Sequence, residues 1–418
     1  MPLIKPFRGL RPTSEFSSKV VAPPYDVLNT EEARKRAAGQ PLSFLHISKP
    51  EIDLPAGTDP YAKEVYEKGA ENLQKLITDK VLMRDEQPCY YVYRLVMGSH
   101  QQTGIVAVAS VADYDTNRIR KHEFTRPDKE DDRVRQIDAL NAQTGPVFLT
   151  YRYNPVVETI IKNVTTSAPL YDLTADDGVK HTLWQVADVD NIQRLTETFD
   201  AMACLYIADG HHRSASASRI AAQRNTARDN AGKENSGDAS YDYFLSVIFP
   251  DNEMQILDYN RVIVDLNGLS ETELLKRIKE RFDVETVAEP CKPHKNAEFG
   301  MYLQGQWYCL QIKPDLIPKN DPVKQLDVSL LQDNLIEPLL GISDPRRDKR
   351  IDFVGGIRGL KELEKRVDSG EMKIAFALYP TSMAQLMDVA DANEVMPPKS
   401  TWFEPKLADG LVSHVLDD

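Results

Sequence analysis

Residues 205–220, Leu-Tyr-Ile-Ala-Asp-Gly-His-His-Arg-Ser-Ala-Ser-Ala-Ser-Arg-Ile, decide how the centre of this chain folds. The apolar run that ends at Ala208 is typical of a buried strand. The alanine-rich run that follows Ser214 is typical of the opening of a helix. The pattern therefore predicts a strand, a tight glycine turn at 209–214 and a helix that carries an arginine in its first turn.

This turn has the features of an anion-binding site, because the first N–H groups of a helix lack partners and the helix dipole adds positive potential there. Arg213 supplies a forked donor that suits phosphate oxygens, and Asp209 could hold a metal ion or take a proton. We interpret Gly210, His211, Arg213 and Ser214 as phosphate-binding residues. Two alternatives stay open, a plain helix cap and a structural zinc site, although adjacent histidines are not the usual zinc pair.

The composition is that of a globular protein with more than one domain. The chain has 418 residues, a length that exceeds what one ordinary hydrophobic core can hold. Apolar residues make up 41% and charged residues 28%, as in a typical globular protein. Its net charge of −13 opposes non-specific binding to nucleic acid, which relies on a basic surface. We therefore expect small-molecule partners and no nucleic acid, while a homo-oligomer stays open.

Cysteine usage and hydropathy favour a cytoplasmic protein without a membrane partner. No apolar run approaches the ~18 residues needed to span a bilayer, and the N-terminus lacks the apolar core of a signal peptide. The four cysteines are scattered without a Cys-x-x-Cys pair. Cys204 and Cys309 lie in apolar runs, so we expect buried free thiols there.

Periodicity along the chain predicts an α+β (mixed α/β) fold with many antiparallel strands. Before residue 250 it predicts helices at 61–78, 128–140 and 211 to about 225, a hairpin at 89–96 and 104–112, and strands at 44–48, 147–151, 181–186 and 243–249. After residue 250 it predicts strands at 254–264, 300–303, 307–312 and 373–379, and helices near 269–282, 327–340 and 358–367. Polar residues 226–240 predict a mobile surface loop. We expect one domain over 1–250, which carries the turn, and a C-terminal α+β domain over 251–418.

Three further segments could carry chemistry. In 121–133, the basic side chains of Lys129 and Arg133 could surround a polyanion, and Glu123 and Asp132 could hold Mg²⁺, although the segment alone favours a solvated, salt-bridged helix face. In 396–407, polar side chains lie between prolines, which favours either a pocket wall or a tail docked on the core; they are Lys399, Ser400, Thr401 and Lys406. In 22–27, Ala-Pro-Pro-Tyr-Asp-Val presents Asp26 either as a base or as the start of a turn.

Taken together, these segments resemble a family catalogued as a domain of unknown function. The resemblance covers most of the chain and rests on six motifs in order: residues 6–10, 21–27, 122–125, 132–133, 208–213 and 396–401. The Asp-Gly-His-His-Arg turn also resembles the phosphate-binding turn of the ParB/sulfiredoxin-like superfamily, which includes kinases of free L-serine. The resemblance implies a ParB/sulfiredoxin-like core and a kinase that makes O-phospho-L-serine from pyrophosphate or a nucleotide, ADP or ATP, with Mg²⁺. The lack of an adenine-binding signature favours pyrophosphate.

The resemblance also implies roles for the donor side of the site, where a kinase mainly positions groups and neutralises charge. The N–H groups of 210–213, with the side chains of His212 and Arg213, would hold donor phosphates. Mg²⁺ would bridge donor oxygens near Asp209 or Asp132.

On the acceptor side, serine kinases of the superfamily use an acidic residue near the N-terminus as the base. Here we choose Asp26, with Glu31 and Glu123 as alternatives. Lys399, Ser400, Thr401 and Lys406 would grip a phosphate or the serine carboxylate.

Other functions of the same superfamily fit less well. Sulfiredoxin chemistry needs a cysteine beside the turn, where this chain has histidines. A ParB-like, DNA-associated nucleotide-binding protein conflicts with the acidic net charge, and a non-catalytic sensor would bind phosphate ligands without consuming them.

Overall fold

The computed structural model describes residues 2–233 and 237–417. The chain forms two compact units, Met1–Met254 with Pro405–Asp418, and Gln255–Glu404. The predicted mixed α/β class with many antiparallel strands is confirmed. The predicted domains 1–250 and 251–418 stay a prediction. Among the described residues, no helix combines the length and hydropathy needed to cross a membrane.

The first unit is built on one large sheet flanked by helices. Its strands up to residue 254 are β1 (Ile4–Lys5), β2 (Leu10–Pro12), β3 (Leu82–Arg84), β4 (Tyr90–Met97), β5 (His100–Ser110), β6 (Ile119–Arg120), β7 (Ala142–Gln143), β8 (Val147–Tyr151), β9 (Tyr171–Thr174), β10 (Lys180–Val186), β11 (Leu205–Asp209) and β12 (Tyr243–Pro250). Its helices are α1 (Ser17–Val20), α2 (Thr30–Ala37), α3 (Leu45–Ser48), α4 (Lys63–Thr78), α5 (Val111–Asp115), α6 (Pro127–Leu140), α7 (Pro155–Val164), α8 (Val189–Asp200) and α9 (His211–Asn230).

Strand pairing in this sheet positions the predicted turn. The described residues give the order β6-β11-β8-β12-β5-β4-β10-β9, with β1 paired to β5. Strands β8 and β12 are buried throughout, as expected for continuous apolar runs in the middle of a sheet. Because β11 runs antiparallel to β8, with Asp209 opposite Phe148, the residues just before β8 lie beside the turn after β11.

The second unit has a six-stranded antiparallel sheet in the order β15-β17-β16-β19-β14-β18. The strands of this unit are β13 (Ile256–Leu257), β14 (Tyr259–Ile263), β15 (Phe282–Val287), β16 (Glu298–Leu303), β17 (Gln306–Ile312), β18 (Ile351–Gly355), β19 (Ile374–Leu378) and β20 (Trp402–Phe403). Strands β13 and β20 pair with each other outside the six-stranded sheet. Its helices are α10 (Glu271–Arg281), α11 (Asp327–Leu331), α12 (Glu337–Leu340), α13 (Leu360–Asp368) and α14 (Met383–Asp391), with a π-helical turn at Gln332–Ile336.

The C-terminal segment returns to the first unit. Strand β21 (His414–Val415) pairs with β7, and Asp409 forms an isolated bridge with Ala22. This bridge fixes the backbone of Asp409 against the proline-rich N-terminal segment.

The structure corrects three predictions. Residues 44–48 are not a strand: Leu45–Ser48 form one helical turn, because Phe44, Leu45 and Ile47 reach the core from a helix. The helix after the turn extends to Asn230, so the first part of the predicted loop 226–240 is helical; 234–236 lie outside the described residues. The third correction is Cys309, which is bonded to Cys291 rather than free.

Candidate functional site

The turn after β11 depends on Gly210, which has a φ of +94° and precedes the first residue of α9. A Cβ at this position would lie 3.3 Å from Val147 Cα, and the backbone conformation is one that other residues rarely adopt. The predicted strand, turn and helix are therefore present.

Some of the N–H groups that were predicted to bind an anion already donate hydrogen bonds within the turn. The Gly210 N–H donates to Asp209 Oδ1 at 2.8 Å, and the Arg213 and Ser214 N–H groups donate to Gly210 O at 2.9 and 3.1 Å. Among the described residues, the N–H groups of His211 and His212 make no such backbone bond. The prediction that all N–H groups of 210–213 face an anion is therefore narrowed to these two. Ser214 is fully buried and donates through Oγ to His211 O, so its side chain stabilises the first turn of α9.

Asp209 is paired with a lysine from the C-terminal segment. Lys406 Nζ lies 3.1 Å from Asp209 Oδ2. Although burial opposes ionisation, Lys406 and Arg213 hold the pKa of Asp209 well below its usual value. The pair places an ammonium group against the carboxylate at the end of β11, two residues before the start of α9.

Arg213 connects the turn to the N-terminal segment. Its Nη1 donates to Pro146 O at 2.8 Å and its Nη2 to Asp26 Oδ2 at 2.9 Å. Tyr25 lies between two guanidinium groups, with Arg213 Cζ 5.3 Å and Arg133 Cζ 3.9 Å from its ring centroid. These contacts bring Asp26, Arg133 and Arg213 together. The sequence predicted that all three belong to the site, but it did not predict the contacts between them.

A pocket opens beside these groups. It is lined by Tyr25, Ser48, Arg133, Gln136, Ile137, Ala142, Gln143, Thr144, Gly145, Val147, Arg213, Phe244, Leu245 and Asp409. Three of its polar atoms are buried without a hydrogen-bond partner among the described residues: Ser48 Oγ, Arg213 Nε and Asp409 Oδ1. An unpaired buried polar atom costs about 1–3 kcal/mol. A polar ligand that pairs with these atoms would recover that cost.

Asp409 is an acid in the pocket wall with a raised pKa. It is 1% exposed, and burial raises its pKa to about 7 against the attraction of Arg213, while Asp26 adds repulsion. At neutral pH its carboxyl is therefore close to half ionised.

Asp132 supports Arg133 instead of facing a ligand. Arg133 donates to Asp132 Oδ2 through Nε at 3.0 Å and Nη2 at 2.7 Å, and Tyr66 donates to Oδ1 at 2.9 Å. A cation at Asp132 would have to displace these contacts. Asp209 keeps lone pairs beyond its bonds to Gly210 and Lys406, so it is the better match to the oxygen ligands that Mg²⁺ prefers.

A second group of metal-binding side chains lies on the other side of the turn. Ligand atoms of His122, Glu123 and His211 all lie within 4.8 Å of one another. Burial lowers the pKa of His122 to about 4, so this imidazole is neutral. Two imidazoles and one carboxylate suit borderline transition metals better than Mg²⁺.

Comparison with known proteins identifies the family of this chain. The model of a family described as "Protein of unknown function (DUF1015)" matches residues 4–329. The chain belongs to the DUF1015 family. No curated protein matches it significantly in sequence.

Solved structures similar to this DUF1015 chain are distant. They include a conserved hypothetical protein from Pyrococcus furiosus, with 14% identity, 73% of this chain and 94% of that chain covered, and a TM-score of 0.34. A free serine kinase in complex with AMP has 13% identity, 73% and 92% coverage and a TM-score of 0.35. SbnI with C-terminal truncation from Staphylococcus aureus has 10% identity, 73% and 85% coverage and a TM-score of 0.38. Similarity at this level assigns no function.

The remaining predicted residues of this DUF1015 protein have other surroundings in the first unit. His212 Nε2 accepts the Arg126 N–H at 3.0 Å, and Lys129 donates to Tyr61 OH at 2.8 Å. Glu31 is exposed in the first turn of α2. None of the three lines the pocket.

The predicted Lys-Ser-Thr loop lies in the second unit. Arg261 Nη2 donates to Lys399 O at 2.9 Å, and Thr381 Oγ1 donates to Ser400 O at 2.9 Å. Ser400 is buried and Thr401 half-buried. A role of Lys399, Ser400 and Thr401 in the site stays a prediction, whereas Lys406 belongs to the first unit and contacts the turn.

Sequence reasoning missed Asp409 and Gly145. Asp409 precedes Gly410 in a C-terminal run that looks like an ordinary turn, and Gly145 precedes a proline before β8. The available signal was an acid inside an otherwise apolar stretch, residues 407–412, which is an uncommon place for a charge unless it is paired.

Proposed function

We propose that this protein is a Mg²⁺-dependent phosphotransferase that phosphorylates the hydroxyl group of free L-serine. The observation that carries the proposal is that Arg213 belongs at once to the turn between β11 and α9 and to the wall of a pocket with unpaired polar atoms. A donor phosphate at the turn and an acceptor in the pocket would share this guanidinium.

The donor side supplies positive potential without a lysine-rich loop. The N–H groups of His211 and His212 and the α9 dipole lie at the turn, and Lys406 offsets the negative charge of Asp209 beside it. They would hold the terminal phosphates of pyrophosphate, ADP or ATP. A bound Mg²⁺ would neutralise donor oxygens, and Asp209 is the residue that would hold it.

The acceptor side combines charges of both signs, which is the requirement for a zwitterionic amino acid. Arg133 and Arg213 can attract a carboxylate, while Asp26 and Asp409 can attract an ammonium group or take a hydroxyl proton. Asp26, the base predicted from the sequence, is 42% exposed at its side chain and paired with Arg213.

Phosphorus-31 NMR tests the proposal. The full-length protein is mixed with Mg²⁺ and L-serine, and with pyrophosphate, ADP or ATP in turn. We expect a new phosphomonoester resonance that matches O-phospho-L-serine with one of the donors and is lost in Arg213→Ala. Donor binding without consumption would identify a phosphate-ligand sensor. Binding of duplex DNA at physiological salt, with no turnover, would favour the ParB-like alternative.

A further inference from the structure

Asp409 is held rigidly with one oxygen turned to the pocket. Its backbone N–H donates to Ala22 O at 2.9 Å, and the Ala22 N–H donates to Asp409 O at 3.1 Å. The residue is 1% exposed and lines the pocket, and Oδ1 has no hydrogen-bond partner among the described residues. The backbone bridge therefore holds Asp409 in the pocket wall, and Oδ1 is a buried acceptor that a ligand hydroxyl group could satisfy.

Gly145 leaves a space between Asp409 and Arg213. A Cβ on Gly145 would lie 3.5 Å from Arg213 Nε and 3.6 Å from Asp409 Oδ1. Both of these atoms are buried and unpaired. A ligand oxygen that rests against the bare Cα of Gly145 would therefore face an N–H donor and a carboxylate acceptor.

The chemistry of this position selects the group that would occupy it. A carboxylate or phosphate oxygen only accepts, and an ammonium group only donates. A hydroxyl group accepts from Arg213 Nε–H through its oxygen and donates its proton to Asp409 Oδ1. The pair therefore matches an alcohol acceptor better than either end of a zwitterion.

We propose that Asp409 is the general base of the reaction and that Arg213 Nε–H orients the acceptor hydroxyl, an inference that rests on the proposed phosphotransferase function. The hydroxyl oxygen forms a bond to the terminal phosphorus of the phosphate donor, and its proton passes to Asp409 Oδ1. The bond from that phosphorus to the bridging oxygen breaks, and the leaving phosphate takes the electron pair. This assignment replaces Asp26, whose Oδ2 is already held by Arg213 Nη2.

The surroundings of Asp409 suit this role. Burial raises its pKa to about 7, with Arg213 and Arg133 lowering it and Asp26 raising it. A base whose pKa lies near the working pH gives the best compromise between ionisation and proton affinity.

Three variants of the full-length protein test the inference: Asp409→Asn, Asp26→Asn and Gly145→Ala. Initial rates are measured between pH 5.5 and 9 with L-serine and the donor found by NMR, and donor binding is measured by calorimetry. We expect Asp409→Asn to lower kcat by about 10²–10⁴-fold, to remove the rise of the wild-type rate through pH 7, and to keep donor affinity. We expect Gly145→Ala to raise the KM for serine about tenfold or more with unchanged Tm, because the added methyl group would push the hydroxyl group away from Arg213 Nε and Asp409 Oδ1 while meeting its protein neighbours at ordinary van der Waals distances.

The outcomes separate this inference from the proposed function. If the wild-type protein shows no turnover with any donor, both the phosphotransferase function and the assignment of Asp409 as its base are rejected. If the wild type is active, two results overturn only the assignment of Asp409 as the base. One is that Asp409→Asn keeps the wild-type rate and pH profile, and the other is that Asp26→Asn is the variant whose rate no longer rises near pH 7. If Asp409→Asn does not fold, an unchanged KM in Gly145→Ala overturns the inference instead.

Discussion

Arg213 Nη2 donates to Asp26 Oδ2 at 2.9 Å and so joins the first turn of α9 to the segment after Pro24. The Arg213 side chain is 10% exposed, whereas that of Asp26 is 42% exposed. Nη1 is bound to Pro146 O and Nη2 to Asp26, and Nε is the guanidinium nitrogen that has no hydrogen-bond partner among the described residues. The protein thus holds the guanidinium at its two outer nitrogens and turns its third towards the pocket.

Arg213→Lys should abolish this arrangement although it keeps the charge. One ammonium group cannot reproduce the fork that reaches Pro146 O, Asp26 and the pocket. We expect phosphotransfer to fall about 100-fold and the free energy of unfolding to fall by about 1–3 kcal/mol, since the acceptors lose their donors. Enzyme assay and urea unfolding measure the two effects.

Arg219→Lys is the matched control for that substitution. Arg219 lies on the same helix, its side chain is 39% exposed, and it pairs with Glu130 and Asp131. Exposed ion pairs contribute about 0–1 kcal/mol, so we expect near wild-type behaviour. Equal effects of the two lysine substitutions would contradict a special role of Arg213.

Lys406→Met should weaken donor binding. Without the ammonium group at 3.1 Å, the Asp209 carboxylate is less compensated and repels donor phosphates. We expect the dissociation constant of the donor to rise about tenfold, equivalent to ~1.4 kcal/mol, and Lys406→Arg to restore most of the affinity. Calorimetric titration checks this, with the exposed Lys233→Met as control; unchanged affinity in Lys406→Met would remove the lysine from the donor site.

The sequence predicts those parts of the structure that depend on neighbouring residues. The turn is determined by Gly210 and by the apolar and alanine-rich runs around it, and β8 and β12 are determined by continuous apolar runs. The strand predicted at 44–48 is wrong because a short segment with apolar residues at 44, 45 and 47 fits a strand or one helical turn equally well.

Long-range partners explain the rest of what was missed. The pocket wall joins Gly145, Arg213 and Asp409, which are distant in sequence, and no local pattern marks such a set. The Cys291–Cys309 bond links positions 18 apart without a recognisable motif. Helix α7 was also not predicted, although its start carries a readable signal, because Asn154 caps the helix and Pro155 occupies its first position.

Asp409 should make stability depend on pH in an unusual direction. Its pKa is about 7 in the folded protein and about 3.9 in an unfolded chain. The folded state therefore binds the proton more tightly, so this group costs nothing at low pH and destabilises the protein progressively as pH rises from about 4 through 7. The charged groups that face it are Arg213, Arg133 and Asp26.

Asp409→Asn should remove that dependence. We expect the variant to gain stability relative to wild type between pH 5 and pH 8, on the order of 1–3 kcal/mol. Thermal unfolding at the two pH values measures the difference. Asp26→Asn serves as the comparison, since Asp26 is exposed and paired with Arg213; identical pH dependence in Asp409→Asn and wild type would show that Asp409 is not protonated near neutral pH.

Reduction of the Cys291–Cys309 bond should destabilise the second unit. Closing a loop of 18 residues limits the unfolded chain and contributes about 3 kcal/mol in the chain-entropy account. We expect a reducing agent to lower the urea midpoint of the wild type and of Cys204→Ser, whose cysteine is free and half-buried, but to leave Cys291→Ser unchanged. Cys291→Ser without reductant should already unfold at the midpoint of the reduced wild type. A wild-type midpoint that ignores the reductant would mean that the two thiols are not bonded in solution, as the cytoplasmic location predicted from the sequence would favour.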